Sequence, residues 1–406
     1  MRPHHTQHSL PAFPIHSAAF VAADRLVVGG GGGSSKSGIK NKLRLYSIAS
    51  DRSIGLKSEF EVEDAPTSMA VDLQAKYADS LQSNTIICGI NSPPEKILKG
   101  QNENCRLFRL NKDSFHLDIS KSTLPADEDD YQKVTVLSPD RKLLAVAGCH
   151  SLSVLSLPGL TPVAPPIQLE KEIYDATFSS SGETLVVATT QNLHVYSTKV
   201  SSPASPKKGK GKNKSNKSSK EEEGLQLVQS IDLPKSIGGP GTCTFRSVRF
   251  HPLDDNVAYT VINTSPPRER GRKMSARQGY VSKWTTQTWT VEKQKKIGDK
   301  GLTAFDVSLD GRFLGYGSSD LSIGLLDPKS LTPLCTILKA HEFPPTAVKF
   351  DPTTTIVASG SADNSLRIVA IPEVVGGSSW TIIILVLLTL LVVVIAVAMH
   401  NERLRW

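Results

Sequence analysis

The chain has 406 residues, of which 39% are hydrophobic and 21% charged, with 29 Gly, 25 Pro and a formal net charge of +8. That is too long for one small module and too apolar for a disordered chain, and collagen-like and coiled-coil compositions are excluded; one large all-β domain, or two ordinary ones, with a tail suits it. The charge argues against a nucleic-acid partner, because residues 201–223 (seven Lys, three Glu) and 266–278 (four Arg, one Lys, one Glu) carry +4 each and leave the body neutral, without the continuous basic face that tracks a phosphate backbone.

The N-terminal stretch MRPHHTQHSLPAFPIHSAAF has no uninterrupted apolar run, since His and Pro recur through it, and does not read as a secretory signal. The five cysteines, Cys88, Cys105, Cys149, Cys243 and Cys335, are scattered without zinc-knuckle or redox spacing, which points to buried thiols in a reducing compartment. The first strand pattern is AAFVAADRLVVGG, answered by NKLRLYSI. Between them VVGGGGGSSKSGIKNKLRLYSI (27–48) places five glycines at 29–33, followed by Lys36, Gly38 and Asn41. A phosphate-binding loop is excluded: no Gly-Lys-Ser/Thr closes the motif, and KLRLYSI alternates as a strand where a helix is required. A flexible interstrand loop explains some of the glycines but not five together. Residues without Cβ let successive carbonyls turn toward one point, and rings of carbonyl oxygens are how proteins replace the hydration shell of potassium.

Further along, SMAVDL, NTIICGIN and CRLFRL form a second strand group, VLSPDRKLLAVAGCHSLSVLSL (136–157) a third and FSSSGETLVVATTQNLHVYS (178–197) a fourth. Residues 200–223 (VSSPASPKKGKGKNKSNKSSKEEE) interrupt the pattern with almost no apolar side chains, the composition of a solvated disordered insertion. Its lysines, within 207–220, have contact with anionic lipid heads as a second reading. VRFHPLDDNVAYTVIN resumes at GYVSKW after the basic insertion 266–278. FDVSLDGRFLGYGSSDLSIGLLD (305–327) and FDPTTTIVASGSADNSLRIVAI (350–371) complete seven units. Each reads as strand, turn, strand rich in small residues, Ser/Asp turn and alternating strand. Starts recur every ~42–70 residues, bracketing the ~40–45 of a four-stranded blade with the excess as insertion. The pattern predicts an all-β, seven-bladed β-propeller of WD-repeat type over 1–372, the unit resembling the WD repeat although no Trp-Asp dipeptide occurs. Asp320 and Asp363 match that repeat's turn aspartate and His341 its upstream histidine. Acid–base chemistry is the alternative for the three, and capping of turn amides the stronger reading.

After a linker at 373–380, the run Thr381–Met399 (TIIILVLLTLLVVVIAVAM) holds 19 residues without a charge. At ~1.5 Å per residue it spans roughly 28 Å, close to a bilayer's hydrocarbon thickness, and it is apolar on every face. Trp380 and Trp406 flank it as interfacial rings. One C-terminal transmembrane helix over 381–399 is expected, with a short lumenal tail at 400–406. Arg403 and Arg405 follow the run and Arg367 is the nearest upstream cation, so the positive-inside count leans toward a lumenal body. A body of this size with no upstream signal outweighs that count, and the propeller is expected in the cytosol. The sequons at Asn213, Asn216 and Asn263 test it, since glycosylation there would refute a cytosolic body.

A propeller whose first blade reads GGGG-x-x-K-S-G-I-x-N and whose chain ends in one membrane helix resembles the endoplasmic-reticulum guanine nucleotide exchange factor of the COPII coat. The resemblance implies activation of the small COPII GTPase at the endoplasmic reticulum membrane, starting budding toward the Golgi, by exchange without covalent chemistry. It also implies a potassium ion held by backbone carbonyls of the loop Gly30, Gly31, Gly32, Gly33, Ser34 and Gly38, and an asparagine essential for exchange, here Asn41. The Golgi membrane is a second implied location. The alternative is a tail-anchored propeller scaffold without exchange activity, since fold alone does not settle function.

Overall fold

A computed structural model of the chain describes residues 3–35, 37–73, 84–127, 129–199, 224–237, 243–264, 277–371 and 379–403. It divides into two units, Met1–Ile371 and Pro372–Trp406. Within the first, the described residues form seven antiparallel sheets, each built on a meander of three consecutive strands. Blade 1 consists of Ile15–Ala22, Arg25–Gly30, Lys42–Ile48 and Ile54–Glu61. Blade 2 begins at Ser68–Asp72, blade 3 at Val134–Leu137, blade 4 at Ile173–Phe178, blade 5 at Cys243–His251, blade 6 at Leu302–Val307 and blade 7 at Pro345–Phe350. The fourth position of blade 3 is split into Thr161–Pro162 and Ile167–Gln168, both paired to Ser151–Ser156.

The ring closes through a strand that the sequence pattern does not announce. His5–Ser9 adds to the edge of Ser365–Ala370, in register from His5 opposite Val369 to Ser9 opposite Ser365. The last blade is thus built from both ends of the propeller chain, so opening the ring requires breaking a ladder. Arg367 reinforces it from a buried position: its guanidinium donates to His5 Nδ1 (2.8 Å), to Gln7 Oε1 (2.7 Å) and to the Ala340 carbonyl.

Alternation along the strands creates two-faced sheets whose apolar faces meet between neighbouring blades. Phe13, Ile15, Phe20, Leu26 and Val28 of the first blade region pack with Ala358, Leu366 and Ile368 of blade 7. On the other side, Val27, Leu43 and Leu45 pack with Met69, Ile86 and Phe108 of blade 2. The buried Trp284 Nε1 donates to Thr260 Oγ1 at 2.8 Å.

The first strands of all seven blades line one central cavity of about 930 Å³. In an antiparallel meander the loop between the second and third strands lies at the same end as the start of the first strand. The Gly31–Asn41 loop therefore shares its face of the propeller with the cavity mouth formed by the strand starts. The third strand of blade 7 runs from this face to the other, as the first strands do, so Ile371 lies at the opposite end.

The second unit contains one helix, Ser379–Arg403, of 25 residues. Its side chains from Ile384 to Val394 are exposed and aliphatic apart from Thr389. Among the described residues no helix is long and apolar enough to cross a membrane. The expected transmembrane helix over 381–399 is therefore not established by the structure and stands as a proposal. The insertion 200–223, most of 266–278, most of the 373–380 linker and the end of the tail lie outside the described residues.

Candidate functional site

The glycine run divides between strand and loop. Gly29 and Gly30 end the second strand of blade 1, paired with Leu43 and Lys42. A Cβ on Gly29 would stand 2.6 Å from Pro66, and one on Gly30 would stand 2.3 Å from the Pro14 carbonyl oxygen. Gly31 turns with φ +139°, and its Cβ would lie 2.4 Å from Asn41 Oδ1. Gly33 turns with φ +65°. Gly32 approaches the Ser37 hydroxyl. Close packing and left-handed backbone thus give each of the five glycines a structural reason, which the bare pattern could not supply.

Asn41 sits at the base of this loop, only 7% exposed. The Gly33 N–H donates to its Oδ1 at 2.8 Å. Its Nδ2 donates to the carbonyls of Gly33 and Glu63, both at 3.2 Å. Its own carbonyl accepts from the Val62 N–H at 2.9 Å. The carboxamide is turned into the protein as the clasp of the loop, while Ser34, Ser35, Ser37, Gly38 and Lys40 are exposed at the tip. A second tie runs to blade 2, where buried Arg106 pairs with the Glu63 carboxylate and donates to the Glu103 carbonyl at 3.2 Å.

The loop's oxygens suit an alkali cation. The Gly31 carbonyl is bonded by His16 Nε2 (3.0 Å), the Gly32 carbonyl by the Ser35 hydroxyl and the Gly33 carbonyl by Asn41. Each accepts one side-chain donor among the described residues and has a second lone pair. Beside Gly33 stands Asp64, whose carboxyl is pushed up by burial and which has no ion pair among the described residues. A cation here would offset that cost. Of the other expected oxygens, Gly30 belongs to the strand ladder, and Ser34 and Gly38 lie at the exposed tip.

The remaining candidates lie elsewhere, in blades 6 and 7. His341 is buried between hydroxyls, with Nδ1 2.7 Å from Ser365 Oγ and Nε2 2.8 Å from Ser359 Oγ. Asp363 accepts from the Ser365 N–H (2.9 Å) and hydroxyl (2.6 Å) and from the Glu342 N–H (2.5 Å). Asp320 accepts from the Ser322 N–H at 3.0 Å. These are turn and interstrand bonds, and burial pushes the His341 pKa down to about 4, so the ring is neutral. Sequence reasoning missed His16, Glu63, Asp64 and Arg106. Their contacts with the loop cross between strands or blades and leave no local signal.

A family model described as "WD domain, G-beta repeat" matches residues 332–369, the stretch that holds His341 and Asp363. Over 378 residues the chain is 27% identical to guanine nucleotide-exchange factor SEC12 of Candida glabrata, covering 91% of this chain and 72% of that protein. It is 24% identical over 380 residues to the putative guanine nucleotide-exchange factor SED4 of the same organism, covering 90% of this chain but 32% of that longer protein. Among solved structures, Raptor of Chaetomium thermophilum matches with a TM-score of 0.61 at 11% identity, over 91% of this chain and 30% of that one, a likeness of fold alone.

Proposed function

We propose that this chain, which is similar to guanine nucleotide-exchange factor SEC12 of Candida glabrata, is a guanine nucleotide exchange factor for the small GTPase of the COPII coat at the endoplasmic reticulum. The observation that carries the reading is the pairing of long-range similarity, over 91% of the chain, with an exposed glycine loop fastened to a rigid blade. Exchange needs no bond made or broken. A factor that binds the nucleotide-free GTPase more tightly than the loaded form weakens nucleotide binding by the same factor. The blades supply the platform, and the exposed Ser34, Ser35, Ser37, Gly38 and Lys40 offer hydroxyls, backbone groups and a cation to the switch segments around the nucleotide.

Asn41 acts in this scheme as a positioning residue. By holding both polar groups of Gly33 it fixes the loop before docking and lowers the ordering cost on association. A potassium ion bound by the carbonyls of Gly31, Gly32 and Gly33, with Asp64 beside them, would add fixed positive charge and stiffen the same loop. The helix Ser379–Arg403 anchors the chain in the endoplasmic reticulum membrane in a single pass, with the propeller cytosolic and the tail lumenal, and 207–220 adds contact with anionic lipid.

Release of a fluorescent guanine nucleotide from the purified GTPase tests the reading. The full-length chain in liposomes is expected to accelerate release, more in potassium than in choline chloride of equal ionic strength. No acceleration in either salt rejects the exchange function and leaves the scaffold. Equal acceleration in both rejects the ion alone.

A further inference from the structure

Five of the seven first strands carry a bulge near the point where they enter the central cavity. The ladder skips one residue between Ile15 and Ser17, Ile173 and Asp175, Phe245 and Ser247, Leu302 and Ala304, and Pro345 and Ala347. The extra residues are His16, Tyr174, Arg246, Thr303 and Thr346, and all line the cavity. A bulge re-aims a side chain out of the alternation, so these positions form a ring at the mouth. At three of them the side chain is used to fasten the fold. Thr303 Oγ1 donates to the Pro345 carbonyl (2.7 Å), Thr346 Oγ1 donates to the Ile15 carbonyl (2.8 Å), and His16 bonds the Gly31 carbonyl. The Tyr174 and Arg246 side chains make no hydrogen bond among the described residues. The Arg246 guanidinium lies over the Tyr174 ring, 4.9 Å from its centre.

Charge bookkeeping along the lining singles out the same residue. Lys133 pairs with Glu172; Arg249 pairs with Asp175 and lies 3.8 Å from Asp306; Lys349 lies 3.4 Å from Asp306. Arg246 is left without a carboxylate among the described residues. A guanidinium over an aromatic ring and without a carboxylate partner has its N–H groups free for a planar two-oxygen acceptor. A single surplus charge matches one carboxylate and not a polyphosphate. The Lys133 ammonium lies 5.7 Å from the centre of the same Tyr174 ring and 5.6 Å from that of Tyr131, which lines the cavity, is 43% exposed and offers an apolar ledge.

We propose that Arg246, lying over Tyr174 with Lys133 and Tyr131 along the same lining, forms a carboxylate-binding notch at the channel mouth for an acidic segment of a partner protein. The segment's carboxylate meets the guanidinium and a neighbouring apolar side chain covers Tyr131. The notch does not rest on the exchange reading. Two fluorescein-labelled peptide pools test it, identical except for a central Asp in one and Asn in the other, with aromatic and aliphatic residues at the flanking positions. Titrated with the full-length chain in detergent micelles and followed by anisotropy, the Asp pool is expected to bind about tenfold more tightly, the worth of one charged hydrogen-bonded pair. Arg246→Gln is expected to erase the preference without moving the unfolding temperature, and Arg246→Lys, which keeps the charge but loses the fork, to retain part of it. Absence of a preference, whether both pools bind or neither does, overturns the proposal, as does a preference that survives in Arg246→Gln. Displacement of the Asp pool by inorganic phosphate at concentrations where acetate is inert would reassign the notch to phosphate and overturn the peptide reading.

Discussion

Replacing Asn41 by Ala separates holding the loop from building the fold. The substitution removes one hydrogen bond accepted from the Gly33 N–H and two donated to the carbonyls of Gly33 and Glu63. At about 1 kcal/mol net for each, with partly buried backbone groups left to find water, the cost is about 2–4 kcal/mol. A domain with an ordinary stability of about 5–15 kcal/mol survives that loss, and the damage is confined to the loop, because the strands on either side pair independently. Docking must then order the loop anew, and about 2 kcal/mol of ordering slows nucleotide release by about 30-fold. Two further variants sharpen the test. Asn41→Asp keeps the acceptor for Gly33 N–H but sets a carboxylate against two carbonyl oxygens, so it should fail as badly as Ala. Gly31→Ala retains Asn41 but sets a Cβ against its Oδ1, 2.5 Å from its Cα and 2.8 Å from the Lys40 carbonyl at a φ of +139°, so the loop backbone and the carboxamide must both shift. It should reproduce the loss. The assay is fluorescent-nucleotide release at equal protein concentration, with thermal unfolding followed in parallel. Full activity in Gly31→Ala, or in Asn41→Ala with an unfolding temperature unchanged, would show that loop shape is not what Asn41 provides.

Three other outcomes follow from the same structure. His341 is neutral when folded, its pKa pushed from 6.5 down to about 4 by burial; between those values only the unfolded chain binds the proton. Stability should therefore be complete above about pH 6.5 and fall by up to about 3 kcal/mol as the pH drops toward 4, a slope that His341→Gln should flatten in urea titrations. Deleting residues 1–9 removes the His5–Ser9 ladder and two partners of Arg367, and should lower the unfolding temperature by at least about 5 °C in calorimetry; an unchanged temperature would mean the ring closes without it. Removing 379–406 should release the chain from carbonate-washed membranes while leaving exchange on soluble GTPase intact, whereas a truncated chain that still pellets with membranes would refute the anchor.

The blades were legible because each carries its own alternation and turn chemistry. In VLSPDRKLL and VSLDGRFLG the serine hydroxyl meets the aspartate two residues on, Ser138 with Asp140 at 2.6 Å and Ser308 with Asp310 at 2.7 Å, and the following bend uses a left-handed residue, Arg141 or Gly311. Such signals lie within a few residues of one another. The closing strand has no such signal: HTQHS is polar, mostly solvent-facing and a strand only because Ser365–Ala370 presents an open edge. The direction of the Asn41 carboxamide was equally hidden. The motif places an asparagine after a glycine loop, but whether its amide faces a partner or the loop depends on Gly33 and Glu63 backbone groups, which the fold brings to it. Bulges escape for the same reason, since a skipped residue exists only relative to a partner strand.

That dependence on register has a consequence for how this propeller can carry two sites on one face. Strand starts and second-to-third-strand loops share an end of every blade, so any feature built from them faces the same side, whichever blade contributes it. The glycine loop comes from blade 1 and the Arg246–Tyr174 pair from blades 4 and 5, joined by the seven-stranded lining of one cavity. A partner bound on that face can meet both without any movement of the blades, and a bivalent contact of this kind gains through effective concentration rather than through new interactions. The gain disappears if either contact is removed. Arg246→Gln and Asn41→Ala should thus combine less than additively in the affinity for a partner that uses both sites, and additively for separate ligands. A double-mutant cycle on GTPase binding distinguishes the two: strict additivity would assign the notch to a different protein from the one the loop engages.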